Sequence, residues 1–286
     1  MDLKVIGIII AYIILAPVIG GLLAGIDRRI SARMQARVGP PVLQPFYDVF
    51  KLFSKENLVV RRSQNFYIWF FLAFVVFTGA LFFSGGDLLL VIFALTLSGM
   101  FFVLAGYKAS SPYSFVASQR ELIQMMAYEP MVLLSAVGMY MVTRSFYISD
   151  ITAFHKPLII YLPALFLGFV YILAIKLRKS PFDLSLSHHA HQELVKGMTT
   201  EFSGRALAMI EIAHWYENVF ILGFVYLFLA NNLLSGLAAV SAVYFFMILV
   251  DNTFARMKWR FTLDSSWILA FVLGLGNILV LFFIKR

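Results

Sequence analysis

Three side chains in the stretch "ALAMIEIAHWYENVFILGF" are of types that exchange protons. Glu211, His214 and Glu217 are spaced i, i+3, i+6, so on a helix they share one face. Two carboxylates with an imidazole between them form a short ladder that passes protons near neutral pH. A metal site is a competing chemistry, but two Glu and one His lack a fourth ligand and are a weak set. A buried hydrogen-bonded network with no transport role is the plainer alternative. A second carboxylate stands upstream in "SQRELIQMMAYEPMVLLSAVGMY", where Glu129 precedes Pro130 inside an apolar run. Proline removes a backbone donor and loosens a helix locally. Ionisable groups at membrane depth usually face a bundle interior or a water-filled path. Glu121 lies on roughly the same side, a little over two turns earlier, and reads as an interfacial ion pair with Arg120. The third stretch, "SPFDLSLSHHAHQELVKGMTTEFSG", is a polar loop between two apolar segments. It holds Asp183, Glu193, Glu201 and the histidines His188, His189 and His191. H-H-x-H without cysteine is a poor zinc signature. The loop reads better as an entrance that delivers protons to the Glu211 helix. No nucleophilic triad, P-loop or dinucleotide fingerprint accompanies it. The expected relay is Asp183, Glu193, Glu201, Glu211, His214 and Glu217, with Glu129, and no metal.

The elements that must hold these groups follow from composition. The chain has 286 residues, 61% hydrophobic and 13% charged, with a mean hydropathy of +0.87. Ordinary soluble domains are about 45–50% apolar and about 25% charged, so the bilayer is the expected solvent. Apolar windows of about 20 residues predict about eight transmembrane helices, at 5–26, 66–84, 88–107, 119–143, 158–177, 205–230, 236–254 and 266–284. The first reads as a retained helix, since its apolar core is too long for a signal segment. Residues 27–65, 108–118, 178–204 and 255–265 carry most of the Lys and Arg. The positive-inside rule places those loops in the cytoplasm and both termini outside. The net charge of +8 is therefore topology, which excludes a nucleic-acid role. Within the first loop, "LQPFYDVFKLFSKEN" spaces Phe46, Val49, Phe50 and Phe53 for an amphipathic helix at about 43–56, lying in the interface or under a partner. Cysteine is absent, so the chain holds no disulfide and no iron–sulfur cluster. No internal repeat favours a stand-alone secondary transporter. The expected fold class is an all-α polytopic membrane protein, forming one membrane domain over 1–286.

Two long motifs, in order, carry a resemblance. "DRRISARMQARVGP" with "LQPFYDVFKLFSKE" resembles the E-R-K-x-x-A-R-x-Q-x-R-x-G-P … L-Q-P-x-x-D-x-x-K-L-x-x-K-E signature of the H subunit of respiratory complex I. "SPFDL … ELVKGMTTEFSG" is similar to that family's P-F-D-x … E-L-V-x-G-x-x-x-E-Y-x-G loop. Three departures stand out. The Gly-rich residues between "GP" and "LQP" are missing, Ser and His replace carboxylates after Asp183, and His214-Trp215 stands where Glu-Tyr is usual. The "HHAHQELV" version looks like the membrane-anchor subunit of energy-converting membrane-bound [NiFe] hydrogenases and the related sulfane reductases, which use no quinone. A quinone-site H subunit of a true complex I is the alternative. The resemblance implies a prokaryotic plasma-membrane subunit that docks hydrogenase-like large and small subunits of a cytoplasmic arm. Arg28, Arg33, Arg37, Phe46, Phe50, Lys51 and Phe53 would lie near that junction. It also implies antiporter-like membrane partners, and electron flow from ferredoxin through [NiFe] or iron–sulfur centres held in partner chains, with no cofactor bound here. Glu129, Glu193, Glu201, Glu211 and Glu217 would begin the charged pathway across the membrane.

Overall fold

A computed structural model describes residues 3–57, 62–182 and 197–284. Among the described residues the fold is helical: α1 Leu3–Met34, α2 Gln44–Ser54, α3 Arg62–Phe83, α4 Leu88–Lys108, α5 Pro112–Thr143, α6 Ile148–Thr152, α7 Pro163–Lys176, α8 Gly204–Leu227 and α9 Leu233–Thr253. A last helix, α10, runs over Trp259–Ile284 with a π-helical stretch at Ala270–Leu275. Among the described residues six helices (α1, α3, α4, α5, α9 and α10) are long and apolar enough to cross a bilayer. The expected fold class is therefore observed. The two remaining predicted spans differ in kind. The apolar α7 has only 14 residues, because Pro163 starts it and a separate 3₁₀ turn, Leu158–Ile160, takes up the preceding apolar residues. At 24 residues α8 is long enough, but it carries Arg205, Glu211 and Glu217. Two other helices outrun their apolar windows. Beyond Ile26, α1 continues through "DRRISARM", and α5 starts at Pro112. Charged and polar residues continue a helix as readily as apolar ones, so hydropathy marks the span and not the helix.

The chain forms two compact units. One contains α1, α2, α3 to Ala80, α4 from Ala94, α5 to Leu122 and α8 to Val219; the remaining parts of those helices join α6, α7, α9 and α10 in the other.

In the first unit α1 presents a glycine face. A Cβ on Gly20 would sit 2.5 Å from the Trp215 carbonyl oxygen, and one on Gly21 would meet the Phe46 ring at the same distance. Gly25 abuts the Val42 carbonyl, and across α3 Gly79 abuts Tyr12. Small residues at helix contacts let backbones approach closely where lipid gives no hydrophobic push. Pro17 lies inside α1 and leaves the Ile13 carbonyl without its helical donor. The Tyr216 hydroxyl donates to that carbonyl at 2.6 Å, which meets the demand that buried backbone groups in a membrane be satisfied. Phe71 stacks on Phe102 at 4.8 Å, and both are fully buried with Ile68, Ala213 and Met198 around them.

The second unit is pinned at both ends of its helices. The Asp87 carboxylate accepts from Leu89 N and Leu90 N at 2.8 and 3.2 Å, capping α4. A bridge between Asp87 and Tyr147 fixes the turn before it. Asn277 on α10 accepts from Ala164 N and Leu165 N and donates to the Tyr161 carbonyl. It thereby caps α7, whose Pro163 start leaves orphan amides. At its other end α7 closes with Arg178 N donating to Ile175 O and Lys179 N to Ala174 O. This is a Schellman cap whose left-handed residue is Arg178, at φ 51°.

Candidate functional site: a charged cleft under the amphipathic helix

Within the first unit, α1, α2 and α8 enclose a cleft of about 270 Å³ lined by Arg28, Asp48, Lys51, Lys55, Glu211 and Trp215, with Pro45, Val49, Leu52 and Leu207. Local sequence explains each contribution. Pro45 sits in the first turn of α2, where its missing N–H costs nothing. Val49 is buried, and Phe46 packs on Trp215 at 5.1 Å between ring centroids. The cationic face of α2 is thereby set over α8. Arg28 and Asp48 form an ion pair at 2.8 Å, and Gln44, one turn back on α2, donates to the other Asp48 oxygen at 2.9 Å. Partial burial disfavours the Asp48 anion, but hydrogen bonds from Gln44 and Arg28 and the charges of Arg28 and Lys51 outweigh it. They hold the carboxyl below its ordinary range.

From the cleft the ladder on α8 leads inward. Glu211 is half-buried at the cleft wall. His214 is half-buried between the ring edges of Phe71 and Phe102, at 6.0 and 5.7 Å. Glu217 is buried, 2% exposed. Over roughly 9 Å of helix, at about 1.5 Å per residue, these titratable side chains therefore pass from a charged cleft to the core. The start of α8 is fixed by Gly204, at φ 50°. A Cβ there would sit 2.5 Å from the Glu56 carbonyl oxygen, so only glycine brings the helix this close to the residues after α2. Glu201 ends the short 3₁₀ turn Gly197–Glu201 just before it, half-buried, with its carbonyl receiving Gln64 Nε2. Glu129 is half-buried on the part of α5 that belongs to the second unit. Asp183, Glu193 and the histidines His188, His189 and His191 lie outside the described residues. Among the described residues no group of three His, Cys, Asp or Glu is arranged to hold a metal.

The residues expected at a docking surface divide. Arg28 is tied to Asp48 and Phe46 to Trp215, both as part of this chain's own packing. Arg33, Arg37, Lys51, Phe50 and Phe53 are exposed, Phe50 at 70%. Sequence reasoning missed Asp48 as the partner of Arg28, although its i+4 spacing from Gln44 was there to be read. It also missed the polar cluster of the second unit. There Lys176 Nζ donates to the Tyr128 hydroxyl at 3.0 Å and Lys179 pairs with Asp251 at 3.4 Å.

An all-helical scaffold, with helices long and apolar enough to cross a bilayer, thus leads two carboxylates inward from a charged cleft. The NADH dehydrogenase family matches residues 6–282, and the chain belongs to that family. It is 31% identical over 293 residues to the H subunit of the NADH-quinone oxidoreductase of Syntrophotalea carbinolica, covering 89% of this chain and 88% of that one. It is 29% identical over 278 residues to hydrogenase-4 component C of Escherichia coli, covering 86% and 87%. A chain in the structure of a membrane-bound sulfane sulfur reductase, an archaeal respiratory membrane complex, has the same fold. Its TM-score is 0.84 at 24% identity, over 96% of this chain and 100% of that one.

Proposed function

We propose that this chain is the membrane-anchor subunit of an energy-converting hydrogenase or sulfane-reductase type of complex. In this reading it docks a cytoplasmic redox arm of hydrogenase-like large and small subunits and couples ferredoxin-driven electron transfer to ion movement. The observation that carries the reading is the cleft, where the charged groups of α1 and α2 (Arg28 on α1, Asp48 and Lys51 on α2, and Lys55 just after it) meet Glu211, the outermost group of the inward ladder. A redox event in a partner seated on α2 changes the field in that cleft. A one-unit pKa change at a carboxylate corresponds to about 1.4 kcal/mol, so a few coupled groups suffice to bias ion uptake. In this reading Glu201 and Glu193 serve proton entry, Glu211, His214 and Glu217 carry protons along α8, and Glu129 is a further carboxylate of the pathway. The redox centres, [NiFe] or iron–sulfur, belong to the partner chains. The subunit sits in a prokaryotic plasma membrane with both termini outside.

The likeness to a NADH-quinone oxidoreductase chain favours one second reading, a quinone site in the same architecture. The "HHAHQ" sequence in place of carboxylates after Asp183 speaks for the first. Native mass spectrometry of the complex purified from its host membranes tests the assignment. Hydrogenase-like and antiporter-like subunits are expected, with electron transfer insensitive to quinone analogues. Inhibition by such analogues would establish the second reading, and a chain that purifies alone and transports alone would overturn both.

A further inference from the structure

In the second unit the last residue of α7 is a lysine in the protein interior. Lys176 is 7% exposed, its Nζ donates to the Tyr128 hydroxyl at 3.0 Å and lies 4.6 Å from the centroid of the same ring. Tyr128 is itself 4% exposed and directly precedes Glu129 on α5, so the ammonium is anchored on the residue next to that carboxylate. The backbone around it is built with care. After Lys176 the chain leaves the helix, and the amides of Leu177, Arg178, Lys179 and Phe182 all donate to carbonyls. The Ser180 amide donates to Asp251 at 2.9 Å. Pro181 O receives Met257 N, and Phe182 O receives the Gln124 side chain. Non-helical backbone inside a membrane protein is tolerated only where it is satisfied by protein or lines a polar cavity. Here α5, α9 and the segment before α10 hold one short turn, and that turn fixes where the Lys176 side chain can reach.

We propose that Lys176 is a charge-positioning residue of the ion path: a buried ammonium, anchored on Tyr128, that sets the field at Glu129. This rests on the ion-translocating reading of the chain. A helix C-terminus favours a cation, so the end of α7 stabilises the charge that Tyr128 orients. A buried lysine is expensive to keep unless something uses it, and a methionine of similar length would fill the same space. Lys179, three residues on, serves a different end. It is paired with Asp251, which also takes the Ser180 amide, and so holds the turn.

The assembled complex in sealed vesicles, carrying Lys176→Met, Lys176→Arg or Tyr128→Phe and run beside Glu211→Gln, tests the proposal. Three quantities are read: subunit co-purification, electron transfer from a soluble donor, and ions moved per electron. With Lys176→Met the complex is expected to assemble and transfer electrons while the ion-to-electron ratio falls severalfold. Lys176→Arg, which keeps the charge, is expected to recover most of the ratio. If Lys176→Met does not assemble, Tyr128→Phe carries the test, since it keeps the ring and removes only the hydroxyl; it too should lower the ratio. A normal ratio in Lys176→Met, or in Tyr128→Phe where that variant decides, overturns the assignment, as does an Arg variant no better than the Met one. If Glu211→Gln uncouples and Lys176→Met does not, only the role of Lys176 falls. If Glu211→Gln itself pumps normally, the ion-path reading falls and takes the proposal with it.

Discussion

Tyr216 and Asp48 each resolve a local conflict written into the sequence. Pro17 breaks the hydrogen-bond ladder of α1, and the Tyr216 hydroxyl takes over the stranded Ile13 carbonyl. Tyr216→Phe should therefore destabilise the protein by about 1 kcal/mol, the range of single hydrogen bonds in membrane proteins. In a Pro17→Ala background the backbone amide regained at that position can serve Ile13, so the same change should cost close to nothing. Thermal unfolding in detergent of the two single variants and the double variant checks that non-additivity. Asp48 gives a pH dependence of known sign. Its folded carboxyl is held below the ordinary range, so its contribution is present above the pKa of the unfolded chain and is lost as pH falls through the lower folded value. The stability difference between the native chain and Asp48→Asn should shrink on acidification. Arg28→Gln should move that loss to higher pH, because a lowering interaction is gone.

At the scale of the element, α2 shows both the reach and the limit of pattern reading. Its 11 residues fall inside the window expected from periodicity, because apolar residues at helical spacing are visible in any sequence. Which part of the apolar face serves which surface was not visible. Phe46 and Val49 are spent on Trp215 and Ala208 inside this chain, while Phe50 and Phe53 remain exposed. That division depends on glycines of α1 that admit the Phe46 ring, a contact across sequence that no local pattern encodes. Phe50→Ser with Phe53→Ser should weaken attachment of the soluble arm, with burial of each ring worth about 1.5–3 kcal/mol, yet leave α2 in place. Co-purification of the arm at ordinary salt measures this, and full retention would deny these rings a docking role. Spans were legible for a similar reason: long apolar runs have one solvent that suits them. The end of α7 was not, since Lys176 and Lys179 follow an apolar segment just as flanking charges do, and only packing shows them turned inward.

For the whole molecule, the family and the all-helical membrane architecture could be read from two motifs and hydropathy. The convergence of Arg28, Asp48, Lys51 and Glu211 could not, because it sets α8 against α1 and α2, which lie far from it in the chain. The proposed orientation rests on the placement of charge, and Ser54 at the exposed end of α2 tests it. Since the chain has no cysteine of its own, Ser54→Cys provides a unique label. It should stay unreactive to impermeant reagents in intact cells and react after the membrane is opened.

The central claim is that the carboxylates on α8 carry ions and do not merely pack. Glu211→Gln puts it to the most direct test, because the amide keeps the shape of the side chain at the cleft wall and cannot release a proton. The quantity to measure is ions translocated per electron by the assembled complex in sealed vesicles, with a soluble electron donor. The account predicts intact assembly, sustained electron transfer and a sharp fall in that ratio. A normal ratio in Glu211→Gln would contradict it and leave the ladder a structural network.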